Sequence, residues 1–103
     1  MNVVEPPQKN ELFVNSPSPF VINIHRTTII SYKLSIESDV ELAITDFEGK
    51  IVKILKKGRL LPGYWGVSWD GTDSKGNYVG AGIYFYYLKT DNGIFSKKIR
   101  VIK

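Results

Sequence analysis

The chain has 103 residues, no cysteine and a net charge of +4, with 43% hydrophobic and 23% charged residues. That is the length of one domain, and about two-thirds of the unfolded surface of such a chain can be buried, enough to fold without staples. The lack of cysteine excludes disulfides and thiolate metal sites, no run is long enough to span a bilayer, and no basic-then-apolar leader follows Met1.

If the parent protein is exported, its signal therefore lies outside this chain. Residues 1–10, with Pro6-Pro7, read as the end of a linker from an upstream domain of the same polypeptide, and residues 11–103 as the folded domain. Glu11 to Asn15 is a short first strand. Pro17 and Pro19 then stiffen a crossing that delivers Phe20 to the edge of the core. Val21 to Arg26, which holds the single histidine, His25, is ambiguous.

Thr28 to Ile36 alternates, with Ile30, Tyr32, Leu34 and Ile36 on one face. Period two is the signature of a strand. Val40 to Asp46 repeats it, with Val40, Leu42 and Ile44 inward and Glu41, Ala43 and Thr45 outward. Asp46-Phe47-Glu48-Gly49 is a hairpin turn with Gly49 at the positive-φ position. Lys50 to Lys57 pairs back. Its apolar residues, Ile51, Val52, Ile54 and Leu55, fit a helical turn or a bulged strand, and the preceding turn favours the strand. Gly58 to Gly63 is a loop around Pro62.

The next stretch carries both tryptophans and five of the six tyrosines. Trp65, Val67 and Trp69 share one face. Asp70-Gly71-Thr72-Asp73-Ser74-Lys75-Gly76-Asn77 supplies turn chemistry, with glycines free to take positive φ and Asp side chains free to bond nearby amides. After Gly82, a second strand sets Tyr84, Tyr86 and Leu88 on one face. Aromatic rings dominate burial energy, so these two strands form the centre of the core. Asp91-Asn92-Gly93 signals a type I′ hairpin, and Ile94 to Ile102 closes the sheet with Phe95, Ile99 and Val101 inward. About seven strands with regular turns predict an all-β, immunoglobulin-like antiparallel β-sandwich, though a small barrel shares the same cues. The predicted core is Phe20, Tyr32, Leu34, Leu42, Ile44, Trp65, Val67, Trp69, Tyr84, Tyr86, Leu88, Ile99 and Val101.

Few motifs offer chemistry. The oxygens of Asp70, Asp73 and Asn77 invite a calcium reading. Position five of that loop is Ser74, no bidentate Glu stands at position twelve, and the loop is read as a turn. His25 is alone, and no paired carboxylates or phosphate loop can be built, so neither catalysis nor a cofactor is expected. The cations Lys50, Lys53, Lys56, Lys57 and Arg59, and the later group Lys97, Lys98, Arg100 and Lys103, lack the aromatic alternation of single-strand binding. They read as charged strand faces and edges, with no nucleic-acid partner and no membrane insertion. Trp65, Trp69, Tyr84 and Tyr86 could instead form a sugar-stacking row, but their inward parity favours core. The opposite face, Tyr64, Ile83, Phe85 and Tyr87, is apolar for a solvent face and reads as a partner patch.

The ordered set Pro17-Ser18-Pro19-Phe20, Tyr32-Lys33-Leu34, Asp46-Phe47-Glu48-Gly49, Trp69-Asp70-Gly71-Thr72-Asp73-Ser74-Lys75-Gly76, Gly82-Ile83-Tyr84-Phe85-Tyr86 and Lys97-Lys98-Ile99-Arg100-Val101 resembles a known family. Its members are immunoglobulin-like domains at the C-terminal ends of exported bacterial proteins. The family overlaps the Ig-like domain of the flagellar hook-capping protein and the C-terminal sorting domains of type IX secretion. The resemblance implies a non-catalytic module of a secreted or cell-surface protein, used in sorting, anchoring or spacing. It implies secretion machinery or a neighbouring surface protein as partner, with Lys97, Lys98 and Arg100 on the strand that would be read. A hook-cap domain and a carbohydrate-binding module are the alternatives.

Overall fold

The structure, a computed structural model, describes residues 9–103. The proposed linker therefore lies outside the described residues except for its last two positions. Of these, Asn10 is buried. Its Nδ2 donates to Asn92 Oδ1 at 2.8 Å and Thr90 Oγ1 at 3.2 Å, and its Oδ1 accepts from the Ser35 amide at 2.8 Å. Asn10 thus ties the start of the domain to its last hairpin.

Among the described residues, eight strands and one helical turn follow in order. The first four elements are β1 (Glu11–Leu12), β2 (Phe20–Val21), α1 (Ile22–His25) and β3 (Thr28–Leu34). They are followed by β4 (Ser38–Thr45), β5 (Ile51–Leu60), β6 (Gly63–Trp69), β7 (Gly82–Thr90) and β8 (Gly93–Ile102). One sheet has the order β1-β3-β6 and the other β2-β8-β7-β4-β5. All pairings are antiparallel except the short one between β2 and β8.

The alternation read from the sequence becomes a two-layer core. Ile30, Tyr32 and Leu34 of β3 face Val40, Leu42 and Ile44 of β4, Tyr86 and Leu88 of β7, and Ile99 and Val101 of β8, all buried. Each such aliphatic side chain contributes roughly 1.5–3 kcal/mol on burial. Trp69 is fully buried between Phe20, 5.8 Å away between ring centroids, and Tyr84, 6.2 Å away, and its Nε1 donates to the Thr72 carbonyl at 2.9 Å. Tyr86 Oη donates to the Phe13 carbonyl at 2.7 Å and accepts from the Asn15 amide at 2.9 Å, fixing the irregular first segment to β7. Val67 and Tyr84 are half-buried against this core.

Several expectations need correction. Trp65 is not core: it is 36% exposed, although it shares the inward parity of Trp69. It lies on β6, the last strand of the three-stranded sheet, where no further strand among the described residues closes over it. Its indole donates instead to the Leu61 carbonyl at 2.9 Å. Ile36 falls beyond the end of β3 and is exposed. Ala43 and Thr45 face outward yet are buried, flanked in register by Tyr87 and Ile54 and by Phe85 and Ile51. The 58–63 loop is mostly strand, because Gly58, at φ 149°, lets β5 continue to Leu60 opposite Ser38. The register shifts at Leu42/Ala43 and Ile44/Thr45 account for the broken alternation of β5. The last hairpin is not type I′. Gly93 pairs with Thr90 inside the ladder, Asp91-Asn92 forms the loop, and Arg26 is the single non-glycine residue with positive φ among the described residues.

Candidate functional site

The outer face of the five-stranded sheet is built by register. Across β8, β7, β4 and β5, one row reads Lys98, Phe85, Thr45, Ile51 and the next Ser96, Tyr87, Ala43, Ile54. Ile83 stands beside Arg100 at one end, and Lys89 beside Glu41 at the other. Phe85, Tyr87 and Ile83 are half-buried, while Ile51, Ile54, Lys98, Arg100 and Lys89 are exposed. The small side chains of Ala43 and Thr45 leave room for the flanking rings, which cover them. The result is an apolar centre with cations around it. An open depression of about 600 Å³ beside Ile83 is lined by Lys98, Arg100 and Lys103.

The single carboxylate in these rows is Glu41. Tyr87 Oη donates to Glu41 Oε2 at 2.6 Å, and Lys57 Nζ lies 3.6 Å from Oε1. The tyrosine hydrogen bond, aided by Lys57 and Lys89, holds the Glu41 carboxyl below the usual range. Burial, and then that same hydrogen bond to a carboxylate, pushes the Tyr87 phenol up to about 12. At neutral pH the Tyr87 ring is therefore locked in place as a hydrogen-bond donor, and the face keeps its positive rim.

The other predicted site residues fall elsewhere. Tyr64, assigned to the same patch, is 67% exposed on the outside of the opposite sheet, with Lys33 Nζ 6.0 Å from its ring centroid. Lys97 sits opposite Tyr86 in register, on the core-facing side of β8, so it parts from Lys98 and Arg100. The sugar-stacking row does not form, since Trp69 and Tyr86 are fully buried.

The acidic loop is a set of turns. Asp70 Oδ1 accepts from the Thr72 amide at 3.0 Å and hydroxyl at 2.6 Å, with Lys53 Nζ 3.7 Å away. Those bonds, the hydroxyl first, hold its carboxyl below the usual range. Asp73 Oδ1 accepts from the Lys75 and Asn77 amides. No group of three or more His, Cys, Asp or Glu that could hold a metal occurs among the described residues. Gly71, at φ 83°, has Ile22 Cδ1 2.8 Å from where a Cβ would be, so the loop must approach α1 without a side chain. His25 is half-buried and its Nδ1 accepts from the Val21 amide at 3.0 Å.

Two contributors to the outer face, Ile51 and Ile54, were not expected from sequence, because the bulges of β5 hide their common direction. Glu41 is at the expected outward parity, but its pairing with Tyr87 depends on which strand lies beside β4.

No curated protein matches the chain. Among solved structures, it is similar to dimeric latent PorU from Porphyromonas gingivalis, with a TM-score of 0.68 and 20% identity over 97% of this chain and 10% of that one. It is also similar to PorZ, a surface component of the type-IX secretion system of the same organism, with a TM-score of 0.62 and 18% identity over 87% of this chain and 11% of PorZ. FlgD from P. aeruginosa aligns with a TM-score of 0.62 and 22% identity, over 95% of this chain and 74% of that chain. The chain thus spans about a tenth of the length of PorU and PorZ. The model of one family, the FlgD Ig-like domain, matches residues 22–93, well over half of the sequence, and the chain belongs to that family.

Proposed function

We propose that this domain is a non-catalytic accessory module at the C-terminal end of an exported bacterial protein. It docks that protein onto secretion or cell-surface machinery through the outer face of the five-stranded sheet. The observation that carries the reading is that face itself: Ile83, Phe85 and Tyr87 at its centre and Lys98, Arg100 and Lys89 around them. Half-buried aromatics inside a polar rim are the composition of an interaction surface. The recurrence of the fold as a small part of PorU and PorZ supports an attached module. In this reading the upstream domain is the cargo, and the destination is outside the cell.

The test is export of a reporter fused upstream of the full chain in a host with type IX secretion. Phe85→Glu and the pair Lys98→Glu/Arg100→Glu should lose surface delivery while the purified domains melt as cooperatively as the parent. Reporter still reaching the surface in folded variants overturns the reading.

The family match to the FlgD Ig-like domain favours a second reading, a hook-cap domain. It predicts that the domain restores motility when exchanged into FlgD of a flagellated host, and a non-motile exchange strain with stable protein excludes it.

A further inference from the structure

A different part of the molecule is open to a strand. β6 pairs with β3 on one side in seven unbroken partners, from Thr28↔Trp69 to Leu34↔Gly63. On its other side, among the described residues, the sheet ends. The direction of its backbone groups follows from β3. Ile29 exchanges hydrogen bonds with Ser16, and Ser31 accepts from the Phe13 amide, so Ile29 and Ser31 point away from β6. Alternate residues of a strand point to opposite sides. Thr28, Ile30, Tyr32 and Leu34 therefore bond to Trp69, Val67, Trp65 and Gly63. Tyr64, Gly66 and Ser68 are left with amides and carbonyls directed outward. All three are exposed, and among the described residues no loop or turn hydrogen bond reaches them.

The remaining sheet margins are defended in the ways natural sheets use against unwanted pairing. β1 and β2 are two residues long. β8, beyond the reach of β2, carries Lys97, Lys98 and Arg100. β5 has two register shifts and four cations, and the Ser74 amide caps its Val52 carbonyl at 3.0 Å. β6 has no charge, no proline and no register shift. Such an edge, left unguarded on a fold that guards its other margins, fits the addition of an extended segment to the sheet.

We infer that the free edge of β6, seven residues long, takes up an extended, acidic segment of another protein as an added strand. The charge of the neighbouring margin selects the occupant. β5 and β6 are joined through Leu61-Pro62, and Lys53 of β5 lies 3.7 Å from Asp70, the residue after β6, so the two margins are on the same side of the sandwich. Lys56 on β5, in register with the inward-facing Leu42, is exposed and takes part in none of the ion pairs among the described residues. A second copy would bring two such basic margins together, whereas an acidic segment neutralises one. This surface is separate from the outer face of the five-stranded sheet and does not depend on its role.

The experiment is amide hydrogen exchange on the full chain with two capped heptapeptide probes, one alternating valine and glutamate, the other valine and lysine. The acidic probe should slow exchange at Tyr64, Gly66 and Ser68 by about tenfold or more at saturation, and the basic probe should not. Gly66→Pro removes a donor from the open edge without touching the β3 ladder and should abolish the protection. Lys56→Glu should weaken it by about tenfold, and decides the matter even if Gly66→Pro fails to fold. No protection by either probe, or equal protection by both, overturns the inference. Protection that grows with protein concentration alone makes a second copy the occupant and overturns it too.

Discussion

Asp46 and Asp73 build the same turn at two places in the chain. Asp46 Oδ1 accepts from the Glu48 and Lys50 amides, both at 2.9 Å, and Asp73 Oδ1 from the Lys75 and Asn77 amides at 2.9 and 3.0 Å. In each, the glycine three residues on donates to the Asp carbonyl at 3.0 Å with positive φ, 88° at Gly49 and 86° at Gly76. The carboxylate thus replaces the missing backbone partners of a tight reversal. Asp46→Ala and Asp73→Ala should each cost about 1 kcal/mol in urea denaturation. The Asn variants should cost less, because an amide oxygen can still accept both bonds. Ala and Asn variants of equal stability would show that the side-chain oxygen does not hold the turn.

The same geometry bears on calcium binding. Oδ1 of Asp70 and of Asp73 is already directed at amide donors, so a cation would have to compete with bonds that hold the loop. The melting midpoint should be the same in millimolar calcium and in chelator. A rise with calcium, by the mass action of a ligand that binds the native state, would restore the metal reading.

The two tryptophans should differ sharply. Trp69→Ala opens a cavity under Phe20 and Tyr84 and should cost about 3–5 kcal/mol, a large share of a small domain's stability. Trp65→Ala removes a partly exposed ring and one hydrogen bond, and should cost about 1 kcal/mol. Equal losses in chemical denaturation would mean that Trp65 is core after all.

That pair also marks how far the sequence can be read. Period two places Trp65 and Trp69 on the same face, and they do share it. What alternation cannot say is where a strand lies in its sheet, and burial depends on that. β6 is an edge, so parity brings Trp65 to the margin and not to the centre. Tyr64 and Phe85 illustrate the same limit, because one pattern cannot tell which of two outer surfaces each will meet. The Asp-x-x-Gly turns and the inward residues of β3, β4, β7 and β8 were legible because local chemistry or simple alternation determines them. Glu41 beside Tyr87 was not, because it is a cross-strand neighbour set by topology.

The Tyr87–Glu41 pair makes stability depend on pH at both extremes. The Tyr87 phenol is raised to about 12 in the fold, against an ordinary value of about 10 in an unfolded chain. A raised value favours the protonated, native form. Its contribution is therefore complete below about pH 10 and is lost as pH rises from about 10 to 12. Burial also raises Tyr32, Tyr84 and Tyr86, so the alkaline loss is shared. Glu41 acts in the opposite sense. Its carboxyl is lowered, first by the tyrosine hydrogen bond, so its contribution is present above its unfolded value and is lost as pH falls through the folded one. Tyr87→Phe should therefore flatten both limbs of the stability profile, in denaturant titrations at pH 3 to 12, while leaving the other tyrosines to cause the remaining alkaline loss. A variant whose profile runs parallel to the parent's at every pH would show that the hydrogen bond does not couple these two groups to folding.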